Sequence, residues 1–109
     1  MANTFKLKTK ANVGVPTVGI YTAPAATTTV VIGITMANIS GSGVNVGVGI
    51  TRAGTTEDVK LLKNAPIPQG SSLEFMAGNK IVLETTDTVT VDSDTNNSVD
   101  AALTIMEIT

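Results

Sequence analysis

The sharpest chemical signal in the sequence is Asp92-Ser93-Asp94-Thr95-Asn96, whose alternating oxygen-bearing side chains match the opening D-x-D-x-N of a calcium-binding loop. The rest of such a loop does not follow. Asn97 stands where the sharp turn needs Gly, and Leu103 where a bidentate Glu would close the site. Asp92, Asp94 and Asn96, with Asp100 close by, therefore offer at most a weak calcium site, and a polar hairpin loop accounts for them without a metal. A second signal is Lys6, Lys8 and Lys10, three ammonium groups at alternate positions that a strand would aim to one side, toward phosphates or an acidic partner. They lack the interleaved aromatics and arginines of a nucleic-acid surface, and a solvated or partner-facing strand explains them better.

Other chemistries are excluded by composition. The chain has 109 residues, no Cys and no His, which removes disulfides, thiolate metal sites, thiol nucleophiles and imidazole bases together. The carboxylates Glu57, Asp58, Glu74, Glu84, Asp87 and Glu107 are scattered, with no spacing that pairs two of them for acid–base work. The glycines of Ser40-Gly41-Ser42-Gly43 and Gly47-Val48-Gly49 match no phosphate-binding loop. The sequence thus reads as non-enzymatic and without a cofactor. With 7 basic and 9 acidic residues and a net charge of -2, nothing favours broad attraction to nucleic acid or an anionic membrane. No continuous apolar run of membrane-spanning length occurs and the N-terminus opens no signal-like segment, so a soluble protein made and used without secretion is expected.

These residues sit in a sequence that follows a period of two throughout. Phe5, Leu7, Thr9, Ala11 and Val13 share one parity and the three lysines the other, predicting a strand with a wet, basic face. A second extended stretch spans 17–22 and stops at Pro24. Between Thr27 and Arg52, Val30, Ile32, Ile34 and Met36 alternate, then Val44, Val46, Val48 and Ile50, on either side of a Ser/Gly turn; this predicts a β-hairpin. Its opposite face holds Gly33, Gly47 and Gly49, small enough to let another backbone approach. Further strands are predicted over 59–63, 73–76, 80–84, 88–92 and 99–108, with 64–70 a proline-stiffened loop. Eight or nine strands separated by turns predict one domain, an all-β antiparallel β-sandwich or a small jelly-roll-like barrel. Its expected core is Val30, Ile32, Ile34, Met36, Val46, Val48, Ile50, Leu83, Val91, Leu103 and Ile105. Charged residues are 15% of the chain, leaving a Thr-, Ser-, Asn- and Gly-rich surface suited to burial against neighbouring chains. The segment 2–10 is expected to be an extended arm that pairs with a neighbour's strand edge.

Several pieces recur in a telling order: Met1-Ala2-Asn3-Thr4-Phe5-Lys6, then Val18-Gly19-Ile20-Tyr21-Thr22-Ala23-Pro24 with Thr27-Thr28-Thr29 following. Leu62-Lys63-Asn64-Ala65-Pro66-Ile67-Pro68-Gln69-Gly70-Ser71-Ser72-Leu73 comes next, then Ile81-Val82-Leu83-Glu84-Thr85-Thr86-Asp87-Thr88-Val89-Thr90-Val91, with Met106-Glu107-Ile108-Thr109 last. In this order they resemble the small structural proteins of tailed bacteriophages, notably those of cyanobacterial and marine phages. The resemblance implies a β-sandwich virion component, assembled in the host cytoplasm, present in many copies as a homo-oligomer and bound to other virion proteins. A capsid decoration or cement protein on the major capsid protein is the first expectation; a neck, tail or fibre-base subunit is the second. The partner-binding residues expected are Lys6, Lys8, Lys10, Gly33, Gly47 and Gly49. A carbohydrate- or surface-binding module is the expectation from another class, although only Phe5, Tyr21 and Phe75 are available as ring platforms.

Overall fold

The computed structural model describes residues 3–52, 54, 57–75 and 80–109, and every regular element among them is a strand. Sheet A holds β1 (Asn3–Val13), β9 (Val99–Ile108), β3 (Thr28–Asn38) and β6 (Ser72–Phe75) in that spatial order, with β7 (Ile81–Leu83) also paired to β3. Sheet B holds β2 (Val18–Thr22), β8 (Thr88–Ser93), β4 (Val44–Arg52) and β5 (Glu57–Ile67). All the ladders are antiparallel, and four of the pairings nest: β1 with β9, β2 with β8, β3 with β6 and β7, β4 with β5. One long hairpin bent at β4–β5, with successive segments rolled alternately into two sheets, produces this order. Two further ladders, β3–β9 and β4–β8, close each sheet. The result is an antiparallel β-sandwich with the strand order of a jelly roll.

Alternation carries the core between the sheets. Val31, Ile34 and Met36 of β3 and Val99, Ala101, Leu103 and Ile105 of β9 meet Val44, Val46, Val48 and Ile50 of β4 and Val89 and Val91 of β8, all buried. Leu83 and Ile67 complete the two ends. Of the expected core, Val30 and Ile32 are only half-buried. The reason is a β-bulge: Val31 pairs with Ile105 and Gly33 with Thr104, so Ile32 is an extra residue and the inward parity changes from Thr29 and Val31 to Ile34 and Met36.

Three further expectations are corrected. First, β3 and β4 form no hairpin; they lie in different sheets, and the turn between them crosses the sandwich. Asn38 holds that crossing, its Nδ2 donating to Ser42 O (2.8 Å) and Ile67 O (3.0 Å) while Oδ1 accepts from Ser40 N (2.9 Å). Second, residues 64–67 belong to β5, which accommodates them through register shifts and Asn64 at φ 55°. Third, residues 3–10 are no free arm, because they pair in unbroken register with β9 from Asn3↔Ile108 to Lys10↔Ala101. The expected turn at 53–58 and the break at 77–79 fall wholly or partly outside the described residues. No helix among the described residues is long and apolar enough to cross a membrane.

Candidate functional site

Cross-strand partners point to the same side of a sheet, so register fixes which side chains share a face. Lys6, Lys8 and Lys10 oppose Ile105, Leu103 and Ala101, all buried, and therefore lie on the inner side of sheet A. Phe5 and Leu7 oppose Met106 and Thr104 on the outer side, and are 68% and 64% exposed. The lysines stay wet at this sheet edge, Lys6 and Lys10 exposed and Lys8 half-buried, whereas the expected burial of Phe5 and Leu7 opposite them is overturned. Val13 shares their sequence parity and is buried, but a bulge at 11–12 separates it from Phe5 and Leu7. Asn12 makes that bulge at φ 58°, and its N–H donates to Asp100 Oδ1 (3.0 Å). Asn tolerates the left-handed conformation, so the side-chain parity of β1 changes there.

The outer face of sheet A consequently carries an apolar row across four strands: Phe5, Met106, Val30 and Val82 are successive cross-strand partners. Val82 is 58% exposed, and the row itself contains no charge. One step along, Leu7, Thr104 and Gly33 form the next row. A Cβ placed on Gly33 would meet nothing within 4 Å, so the surface there is open. Beyond it a shallow groove of about 340 Å³ is lined by Thr9, Ala11, Thr35, Ala37 and Ala102 together with the charged Lys10 and Asp100. A sheet face usually alternates apolar-in and polar-out; here the outward set is apolar at one end, and at the other it is small apart from Glu74 and Asp100.

At the apolar end the two sheets are joined by a buried polar cluster. Tyr21, from β2, donates its hydroxyl to Glu107 Oε2 of β9 at 2.6 Å and also shares a hydrogen bond with Thr29 Oγ1 of β3 at 2.8 Å. Lys6 Nζ lies 2.8 Å from Glu107 Oε1. The bonds from Lys6 and then Tyr21 hold the Glu107 carboxyl below its usual range against the opposing effect of burial, and burial followed by the bond to Glu107 pushes the Tyr21 phenol up to about 12. The cluster is legible in outline, because Glu107 falls on the same parity as Leu103 and Ile105, a carboxylate at a core position that demands partners.

The remaining expected residues are dispersed. Gly47 and Gly49 are buried in sheet B and do not share the face of Gly33: a Cβ on Gly47 would come within 2.6 Å of Asp92 Oδ1, and one on Gly49 within 2.9 Å of Val59 O. Side chains of the adjacent strands lie over both. The candidate calcium ligands are engaged separately. Asp92 Oδ2 accepts from Thr17 Oγ1 (3.0 Å), Asp94 Oδ1 from Asn45 N (3.1 Å), and Asn96 Oδ1 from Val15 N (3.1 Å). These bonds, with Ser93 Oγ 2.6 Å from Ser98 Oγ, shape the crossing from β8 in sheet B to β9 in sheet A, which is not the expected hairpin loop. Among the described residues no three carboxylates gather as a metal-binding group.

No family model and no curated protein matches the sequence. Solved structures share its fold. A chain of Bacillus endospore appendages, a novel family of disulfide-linked pili, superposes with a TM-score of 0.57 at 15% identity, over 99% of this chain and 87% of that one. A chain of the infectious bursal disease virus T13 particle gives a TM-score of 0.60 at 12% identity, with 96% of this chain covering 30% of that one, so the present chain spans under a third of its length. A chain of the cyanophage Pam1 capsid asymmetric unit gives 0.56 at 15% identity, over 95% and 85% of the two chains. At these identities the likeness is one of fold.

Proposed function

We propose that the chain is a structural component of a virion, and within that class a capsid decoration or cement protein that seats the outer face of sheet A on the head lattice. The carrying observation is the uncharged row Phe5–Met106–Val30–Val82 on a jelly roll, exposed at its two ends and half-buried between them. Such a row on a small domain marks a contact surface. Three strands at about 4.8 Å spacing and seven residues at about 3.3 Å each, with the short β7 beside them, give a flat footprint of roughly 400 Å². Counted on both partners that is about 800 Å², below the roughly 1,200–2,000 Å² of stable interfaces, so a single contact is weak and retention rests on many copies and on contacts beyond this row. The major capsid protein is the partner this reading implies, and many copies would be bound side by side.

Two comparisons of the same fold are weighed by chemistry. The pilus chain belongs to a disulfide-linked family, and this chain has no Cys with which to make such links. The cyanophage capsid chain is of similar length, which supports a separate small subunit in a shell. The carbohydrate-binding reading is weakened because Tyr21, one of three rings, is buried with its hydroxyl bonded to Glu107.

Co-sedimentation with purified phage heads tests the proposal. Wild type should pellet with heads, and Val82→Lys, a change at an exposed site, should remain in the supernatant while melting like wild type. Binding of both proteins alike, or of neither, would reject this docking face.

A further inference from the structure

We infer that the free edge of β1 accepts an added strand from a partner chain, and that Lys8 and Lys10 select a strand with carboxylates at alternate positions and apolar residues between them. The inference rests on the virion reading only for the identity of the donor.

Among the described residues β1 is the long, regular edge of the sandwich. It pairs on one side with β9 and on the other with no strand, and its register is unbroken from Asn3 to Lys10. The other edges are poorer templates. β6 and β7 are 4 and 3 residues long, β2 is 5 residues with a register shift, and β5 carries Pro66 and two register shifts. An unpaired edge presents alternate N–H and C=O groups that another extended segment can satisfy.

The inward lysines decide which segment fits. Lys6 is engaged by Glu107, whereas Lys8 and Lys10 make no ion pair among the described residues. A second β1 laid antiparallel on the same edge would set lysine against lysine, which is repulsive. A strand with Asp or Glu on its inward side would instead meet both ammonium groups. Its outward side chains would then lie beside Phe5 and Leu7 and continue the apolar row across a fifth strand. Charge on one side and apolar contact on the other thus define an alternating acidic and apolar segment.

The test titrates the full-length chain with a capped heptapeptide alternating Glu and Val, followed by amide NMR and hydrogen exchange. Shifts and slowed exchange should concentrate at residues 3–10, and a Lys/Val peptide should bind roughly tenfold more weakly. The double variant Lys8→Glu, Lys10→Glu should reverse that preference; if it does not fold, Lys8→Gln, Lys10→Gln should abolish it. Equal binding of the two peptides, or shifts outside β1, would overturn the inference. Head co-sedimentation separates the two readings. Selective peptide binding without head binding defeats the virion reading and leaves the strand-accepting edge, while head binding without peptide selectivity does the reverse.

Discussion

Tyr21 and Glu107 join the two sheets across the sandwich, the phenol of sheet B donating to the carboxylate of sheet A at 2.6 Å. Around this bond every buried side-chain oxygen and nitrogen among the described residues has a partner. That matters in a core with few rings, where aliphatic packing is the main cohesion and an orphaned carboxylate would be costly. The same cluster anchors Lys6, and with it one end of the edge strand.

Removing the phenolic oxygen should therefore cost more than its size suggests. Tyr21→Phe leaves Glu107 buried with one donor fewer, and a loss of about 1–3 kcal/mol is expected from urea unfolding. A midpoint equal to that of wild type would show that the bond contributes nothing net.

The two shifted groups set opposite pH limits. Glu107 has a lowered carboxyl pKa in the folded state, so its contribution is present above the unfolded value near 4.5 and is lost as pH falls through the folded value. Tyr21 has a raised value, so its contribution is present below an unfolded value of 10.0 and is lost as pH rises through about 12. Melting temperature should decline at both extremes, and Glu107→Gln should flatten the acid limb.

The bulge in β3 predicts unequal neighbours. Ile34 is 2% exposed, and Ile34→Ala should lose about 2–5 kcal/mol. Ile32 is the half-buried extra residue, and Ile32→Ala should lose only about 1–2 kcal/mol. Denaturant melts with equal losses would deny the change of parity.

The glycines separate in the same way. Gly49→Ala sets a methyl group 2.9 Å from Val59 O, a backbone atom, and should cost about 1–3 kcal/mol by thermal or urea melting. Gly33→Ala meets open space and should stay within about 1 kcal/mol of wild type.

Strand positions were legible because inward residues alternate with outward ones, and β9 was read to its boundaries, Val99–Ile108. What alternation cannot report is where parity changes. The bulges at Ile32 and at Asn12 each move side chains to the other face, which displaced Val30 from the expected core and turned Phe5 and Leu7 outward. Nor does a short Ser/Gly turn reveal whether it joins partners in one sheet or crosses between two; Asn38, bonded to both Ser42 and Ile67, makes it a crossing. The lysines were identified correctly as a one-sided set, but their side depended on register with β9. The apolar row is assembled from four strands distant in sequence and has no local signature.

The proposed docking is decided by a cryo-EM reconstruction of phage particles incubated with this chain. Jelly-roll density is expected on the head shell, with Phe5, Met106, Val30 and Val82 turned against the lattice. Density confined to neck or tail, or head-bound density with that row facing solvent, would contradict it.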